Sequence, residues 1–269
     1  MSVKTVVKVM NFHALLRVNS ARRKVEQAHQ YEQQLRKILF SIINNRIFQQ
    51  EDVSLALPEN AKELNIYIGS DWGFCASFNA DVMRFLREDD AHNEKILIGK
   101  RIKLDAENIV LEMDKEEFNT RFNEIADLIL GGILKKKYSK INIIYIHYYD
   151  LGRQEIVKRT ILPFEYGKDV LDSEETAKIS QDEDFVIEGD LDYILWNLIS
   201  LYVSTEIKIA EAWSWASENV QRQLFTDQSL KKIEEREEED LKVARKERRN
   251  LNFRALVEMN NKKLRMREQ

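Results

Sequence analysis

From Leu191 to about Met266 the chain carries no Gly and no Pro, and its residues are mostly Glu, Lys, Arg, Leu, Ala and Asn. These residues mostly favour helix, and no breaker interrupts them. As one helix, roughly 75 residues rising 1.5 Å each make a rod of roughly 110 Å. A domain of this size is far narrower than that. An isolated helix gains little from propensity alone, so the rod needs a partner. Leu195, Leu198, Tyr202, Ile209, Trp213, Ala216, Val220 and Leu224 step mostly by three or four and share one face. Trp196, Ile199, Val203 and Trp215 widen that face. Higher up, Leu230, Ile233, Glu237, Leu241, Ala244, Arg248 and Leu251 keep the rhythm inside the almost entirely charged run Lys231–Arg249. That run reads either as a solvated helix with i,i+4 pairs or as a rod whose charged surface meets another protein. Spacing alone does not decide between them.

The natural mate lies at the other end of the chain. Thr5 to about Gln50 reads as a first long helix, with Val18, Ala21, Val25, Ala28, Tyr31, Leu35, Ile38 and Ile42 as its seam. It is shorter than the C-terminal rod and covers only part of it. Between the two, Leu64–Gly69, Lys95–Ile98, Val110–Met113, Ile141–Tyr149 and Glu155–Pro163 read as strands. Phe78–Glu88 reads as a helix capped by Ser77 or Asn79, and Lys115–Tyr138 as another that Gly131-Gly132 weakens near its end. The loop before Glu155 is too short for a crossover helix, which makes the last strand antiparallel. Glu165–Gly189 is acidic and poorly patterned, and reads as a loop or edge strand and as the best candidate for disorder. The expected fold class is α/β: a small, partly parallel sheet domain plus a long antiparallel two-helix coiled coil. The expected division is 1–50 first helix, 51–190 globular foot and 191–269 long helix.

Composition and motifs exclude more than they assign. A net charge of -4 gives no electrostatic reason to expect nucleic acid. The single cysteine, Cys75, cannot form an internal disulfide and fits a reducing compartment. No signal peptide opens the chain, and the longest apolar stretch, Tyr193–Val203, is too short to span a bilayer. Neither G-x-G-x-x-G nor G-x-x-x-x-G-K-[ST] occurs, and Gly99-Lys100 lacks the Gly-rich loop that cradles phosphate. His13, His29, His92 and His147 show no ligand spacing, which leaves no metal expected. A lone cysteine in a loop beside a sheet is more often packed than nucleophilic. No catalytic, cofactor or metal residue is expected.

The loop Ser70-Asp71-Trp72-Gly73-Phe74-Cys75-Ala76-Ser77-Phe78-Asn79 resembles the S-D-R-G-L-C-G-G-x-N signature of the gamma subunit of F-type ATP synthases. Lys8-Val9-Met10, then Arg22-Arg23 and Tyr31, is similar to that family's first helix, K-A-M-x-M…K-x-R…Y. Ile98-Gly99-Lys100-Arg101 resembles its I-G-K-K, and Tyr145–Tyr149 with Ile161-Leu162-Pro163 its V-Y-N-x-F…L-L-P. Leu201-Tyr202, Ala216-Ser217-Glu218 and Arg222 follow its L-Y…A-S-E…R, and Arg248-Arg249 falls where it has N-x-x-R-Q. The resemblance runs in order across nearly the whole chain.

It implies a central-stalk rotor that carries torque between a membrane c-ring and the catalytic hexamer of alpha and beta subunits, with epsilon gripping the foot. On that footing the chain is no enzyme by itself, needs no cofactor, and sits peripherally at the cytoplasmic face of the cell membrane or an equivalent one. Met10, Arg222, Arg248 and Arg249 are then expected on the shaft facing beta, and Asp71, Trp72 and Asn79 at the junction of foot and shaft. The departures are Trp72 for the family's Arg, Ala76-Ser77 for its Gly-Gly, few residues before Val6, and a polar Asn260–Gln269 for its small apolar tip. The polar tip and the short first helix motivate an alternative, a gamma-like adapter of a specialised ATPase not devoted to ATP synthesis.

Overall fold

The computed structural model describes residues 2–44, 57–163 and 188–267. Helix α1 spans Val3–Asn44, and the C-terminal helix, α5, runs unbroken over the 77 residues Leu191–Arg267. Between them lie β1 (Lys62–Ile68), α2 (Phe78–Glu88), β2 (Glu94–Ile98), β3 (Ile109–Met113), α3 (Lys115–Thr120), α4 (Phe122–Leu134), β4 (Tyr138–Tyr148) and β5 (Gln154–Leu162). The expected continuation of α1 to Gln50 and most of the acidic stretch 165–189 lie outside the described residues.

The sheet has five strands in the order β3-β2-β1-β4-β5. β1 runs parallel to β2 and to β4, with Ile66 opposite both Ile96 and Ile143. β3 is parallel to β2, and only the β4–β5 pair is antiparallel. The central strands are buried on both faces, and for that reason β4 reads as a nearly continuous apolar run rather than an alternating one. One face packs Ile66, Ile96, Ile143 and Tyr145 against Ile199, Val203 and Ile207 of α5 and against Phe118, Ile125 and Ile129 of α3 and α4. The other packs Tyr67, Leu97 and Ile144 against Phe78, Val82 and Leu86 of α2.

Two local expectations need correction. The helix expected over Lys115–Tyr138 is two helices broken at Arg121, whose backbone leaves helical geometry, and Tyr138 opens β4 instead. Asp114 starts the first of them with a capping box, accepting from the amides of Glu116 and Glu117 at 2.8 Å while Glu117 accepts from the Asp114 amide. The break lets Phe118 and Phe122 meet edge to face, 5.3 Å apart, beneath the sheet. Gly132 does more than weaken α4: a Cβ there would stand 2.1 Å from the Tyr138 ring. At α2, Ser77 occupies the cap position without capping, its hydroxyl donating to Asp81 at 2.8 Å, and Asn79 is engaged elsewhere.

The shaft is antiparallel. Asn11 of α1 bonds Gln223, Thr226 and Asp227, Arg36 bonds Tyr202, and Val18 and Ala21 pack on Ala216 and Val220. The buried positions of α1 are Ala14, Val18, Ala21, Val25, Glu32, Leu35, Leu39 and Ile42, with Ala28 partly buried. Their spacing alternates four and three throughout, as a heptad requires. Tyr31 and Ile38, expected in the seam, are half exposed; Glu32 and Leu39 hold their places. Helical geometry overrides side-chain polarity here, since a step from Ala28 to Tyr31 would break the alternation. In α5, Leu224 is likewise exposed.

Candidate partner-binding surface at the shaft and its basal loop

The loop between β1 and α2 is held from several sides. The Ser70 amide donates to Asn79 Oδ1 at 3.0 Å, the Asn79 amide to Ser70 Oγ at 2.8 Å, and Ser70 Oγ to the Trp72 carbonyl at 2.8 Å. Asp71 accepts from the backbone amides of Lys100 (3.0 Å) and Lys115 (3.1 Å), which ties the loop to the β2–β3 turn and to the start of α3. That turn needs Gly99, because its φ is +123° and a Cβ would lie 2.8 Å from the Gly69 backbone. Lys100 turns to Asp114 at 2.9 Å, beside an open depression of about 210 Å³ lined in part by Leu97, Ile102 and Met113.

With its ends fixed, the loop bulges outward. Phe74 and Ala76 sit at positive φ (61° and 48°), and Trp72 and Phe74 are 70% and 61% exposed. Phe74 leans on Phe225 of α5 with ring centroids 6.0 Å apart, and Leu224 beside it is exposed too. Phe74 and Phe225 thus meet as partly exposed apolar groups where loop and shaft join, the kind of surface that marks an interaction site. Of these exposed residues, only Trp72 stands out in the sequence, through the family resemblance of its loop. Leu224 reads as core because it falls on the helical rhythm of α5, and nothing in residue order marks Phe74 or Phe225 as exposed neighbours across the loop–shaft junction. Cys75 points the other way, buried among Ser70, Asn79 and the Trp72 carbonyl. Burial pushes its thiol up from the usual value, the reverse of an activated nucleophile.

Arg222, expected to face outward, is only 4% exposed. It pairs with buried Glu218, donates to Asn219 Oδ1 at 3.0 Å and reaches the Gly73 carbonyl at 3.4 Å. Its place is inside, clamping the loop to α5. Asp71 and Asn79 are partly buried and act on the loop's shape. Met10 is half buried on α1, whereas Arg248 and Arg249 are exposed on α5.

The pairing of the long helices reaches its last ion pairs where Lys4 meets Glu237 at 2.7 Å and Glu234 at 3.4 Å. α5 continues for about 30 residues past that point, roughly 45 Å of helix. From Glu234 to Met259 every residue is exposed, among them Leu241, Leu251, Phe253 and Leu256. Among the described residues no group of three or more His, Cys, Asp or Glu is placed to hold a metal ion. No described helix is long and apolar enough to cross a membrane.

Comparison with known proteins bears on this outline. The family model described as ATP synthase matches residues 1–250. The ATP synthase gamma chain of Clostridium perfringens is 24% identical over 246 residues, covering 87% of this chain and 83% of the relative. Among solved structures, a chain of the central stalk and c-ring of the Tetrahymena thermophila mitochondrial ATP synthase superposes with a TM-score of 0.56 at 16% identity, covering 83% of this chain and 99% of that one. A chain of the Euglena gracilis mitochondrial ATP synthase, in its OSCP, F1 and c-ring assembly, gives a TM-score of 0.53 at 16% identity, covering 93% and 94%. Those two likenesses establish the shared fold: mixed sheet below, paired long helices above. Matched over nearly its whole length, the chain belongs to the ATP synthase family, and the relatives it resembles there are gamma chains.

Proposed function

We infer that this chain is the central-stalk rotor subunit, the gamma subunit, of an ATP synthase, coupling ion translocation to ATP synthesis or hydrolysis. The observation that carries the reading is the long, unbroken α5, packed on α1 and the sheet at its base and holding apolar side chains in solvent from Glu234 to Met259. A bare helix exposing Leu241, Leu251, Phe253 and Leu256 is stable in use only inside a sleeve. The sleeve is the hexamer of alpha and beta subunits, which α5 meets through its upper part, including Arg248 and Arg249, with Met10 on the α1 side. The exposed Trp72, in the same loop as the Phe74 that rests on Phe225, offers a second contact at the base of the shaft. Asp71, Asn79 and Arg222 serve it by holding the loop in shape.

The chain divides by role into 1–50 and 191–269 as the shaft and 51–190 as the foot, which meets epsilon and the c-ring. Catalysis belongs to the surrounding subunits; this one works by being stiff and lopsided. A rotor shifts each surrounding site among its conformations only by its different contact energy with each of them. It sits peripherally at the cytoplasmic face of the cell membrane, or an equivalent one, through its partners. Affinity purification of the tagged chain from its own source is expected to recover alpha, beta, epsilon and c subunits. Recovery as a lone monomer would overturn the reading.

A further inference from the structure

Partway along the paired shaft, two carboxylates that share Arg36 are almost fully buried: Glu32 of α1, 2% exposed, and Glu206 of α5, 1% exposed. The groups facing them come from every element packed there. From β5, Arg159 Nη2 lies 2.9 Å from Glu206 Oε1. From α1, Arg36 Nε lies 2.9 Å from Glu32 Oε1, its Nη2 reaches Glu206 only at 3.8 Å, and His29 Nδ1 is 3.2 Å from Glu32 Oε2. Tyr202 of α5 accepts from Arg36 Nη2 at 3.2 Å, and from β4 come Tyr145 and His147, joined at 3.1 Å.

The compensation is lopsided. The carboxylates lie within the protein, but the Arg159 and Arg36 side chains are 36% and 26% exposed and keep part of their hydration. Arg36 is shared between both acids, at the outer limit of an ion pair for one of them. Two negative charges taken fully out of water, facing cations that are not, favour holding a proton. Burial accordingly lifts the Glu206 carboxyl to about 6, against the pull of Arg159, and the charge of Glu32 adds to the rise. Burial also pushes the Tyr202 and Tyr145 phenols up, while burial and Arg159 push the His147 imidazole down.

We propose that the Glu32–Glu206 pair is a proton-operated lock on the joint of α1, α5 and β5: closed and stiff while it holds a proton, looser once the proton leaves. Glu206 titrates higher in the closed joint than its ordinary 4.5, so its contribution is fully present below 4.5 and is lost as pH rises through about 6. An opening that returns Glu206 to water becomes about tenfold more populated between about pH 5 and about pH 7.5. The lock belongs to the chain itself and does not depend on its place in a rotor.

The test is amide hydrogen exchange on the full-length chain, read over residues 28–42 and 200–210 and corrected for intrinsic exchange. The wild type is expected to open about tenfold more at about pH 7.5 than at about pH 5. Glu206→Gln, a neutral isostere, is expected to flatten that profile and to open roughly tenfold less than wild type at the higher pH. An ion pair needed only for structure predicts the reverse. A flat wild-type profile overturns the proposal, and so does a Glu206→Gln protein that opens more readily or fails to fold. Glu32→Gln removes the neighbouring charge and is expected to move the midpoint to lower pH; an unmoved midpoint overturns the pairing.

Discussion

α5 has two halves that share backbone geometry and little else. From Leu195 to Thr226 it is buried on most of its circumference, between the sheet on one side and α1 on the other. From Glu234 to Met259 it is exposed all round. The lower half carries its polar groups inward and satisfies them: Ser217 donates to the Ile146 carbonyl at 3.0 Å, Thr226 to the Arg222 carbonyl at 2.9 Å, and Glu218 holds Arg222. The upper half carries its charges outward and relies on helix propensity, a few tenths of a kcal/mol per residue at most. Stability in this helix is therefore local to its base. The top is helix waiting for contact, and the two halves should respond oppositely to mutation.

The sharpest break in that contrast is Arg222→Ala. Leaving Glu218 buried and unpaired is expected to cost about 3–5 kcal/mol, seen as a large drop in the melting temperature of the isolated chain. If Arg222 were instead a partner contact, melting would be unchanged and only assembly would weaken. Ile207→Ala, at the centre of the face against the sheet, is expected to lose about 2–4 kcal/mol by chemical denaturation. Asn11→Ala tests the end of the paired region, where its side-chain amide bonds three residues of α5; about 1 kcal/mol should go, with faster exchange in the first turns of α1. Leu251→Ala and Arg248→Ala are expected to stay within about 0.5 kcal/mol of wild type in the isolated chain while weakening recovery of the complex. A loss of stability there as large as at Ile207 would show that the upper half folds against this chain after all.

Much of this architecture was legible in residue order. The unbroken α5, the helix Phe78–Glu88 and the β4–β5 hairpin follow from local patterns and short connections, which act within a few residues of each other. The seam of α1 was legible only in part, because an apolar rhythm can be traced through Tyr31 and Ile38 as easily as through Glu32 and Leu39. Polarity was the misleading signal: Glu32 can sit in the seam because Arg36, one turn along α1, pairs with it and also reaches toward Glu206 of α5, which Arg159 of β5 holds. The site divided in the same way. The Ser70–Asn79 loop stood out by its residues, yet which of them face outward did not. Trp72 does, whereas Asp71 turns to the β2–β3 turn and α3, Asn79 turns back onto Ser70, and Arg222 of α5 turns in to Glu218 and the Gly73 carbonyl.

The chain by itself determined its long helices, its strands and its family likeness, since helical propensity, buried apolar runs and motif order are carried by neighbouring residues. Only the tertiary structure decided which charges are buried, which α1 residues form the seam, and which loop residues remain exposed. Those outcomes depend on groups far apart in sequence that share one volume, where desolvation and packing are settled jointly.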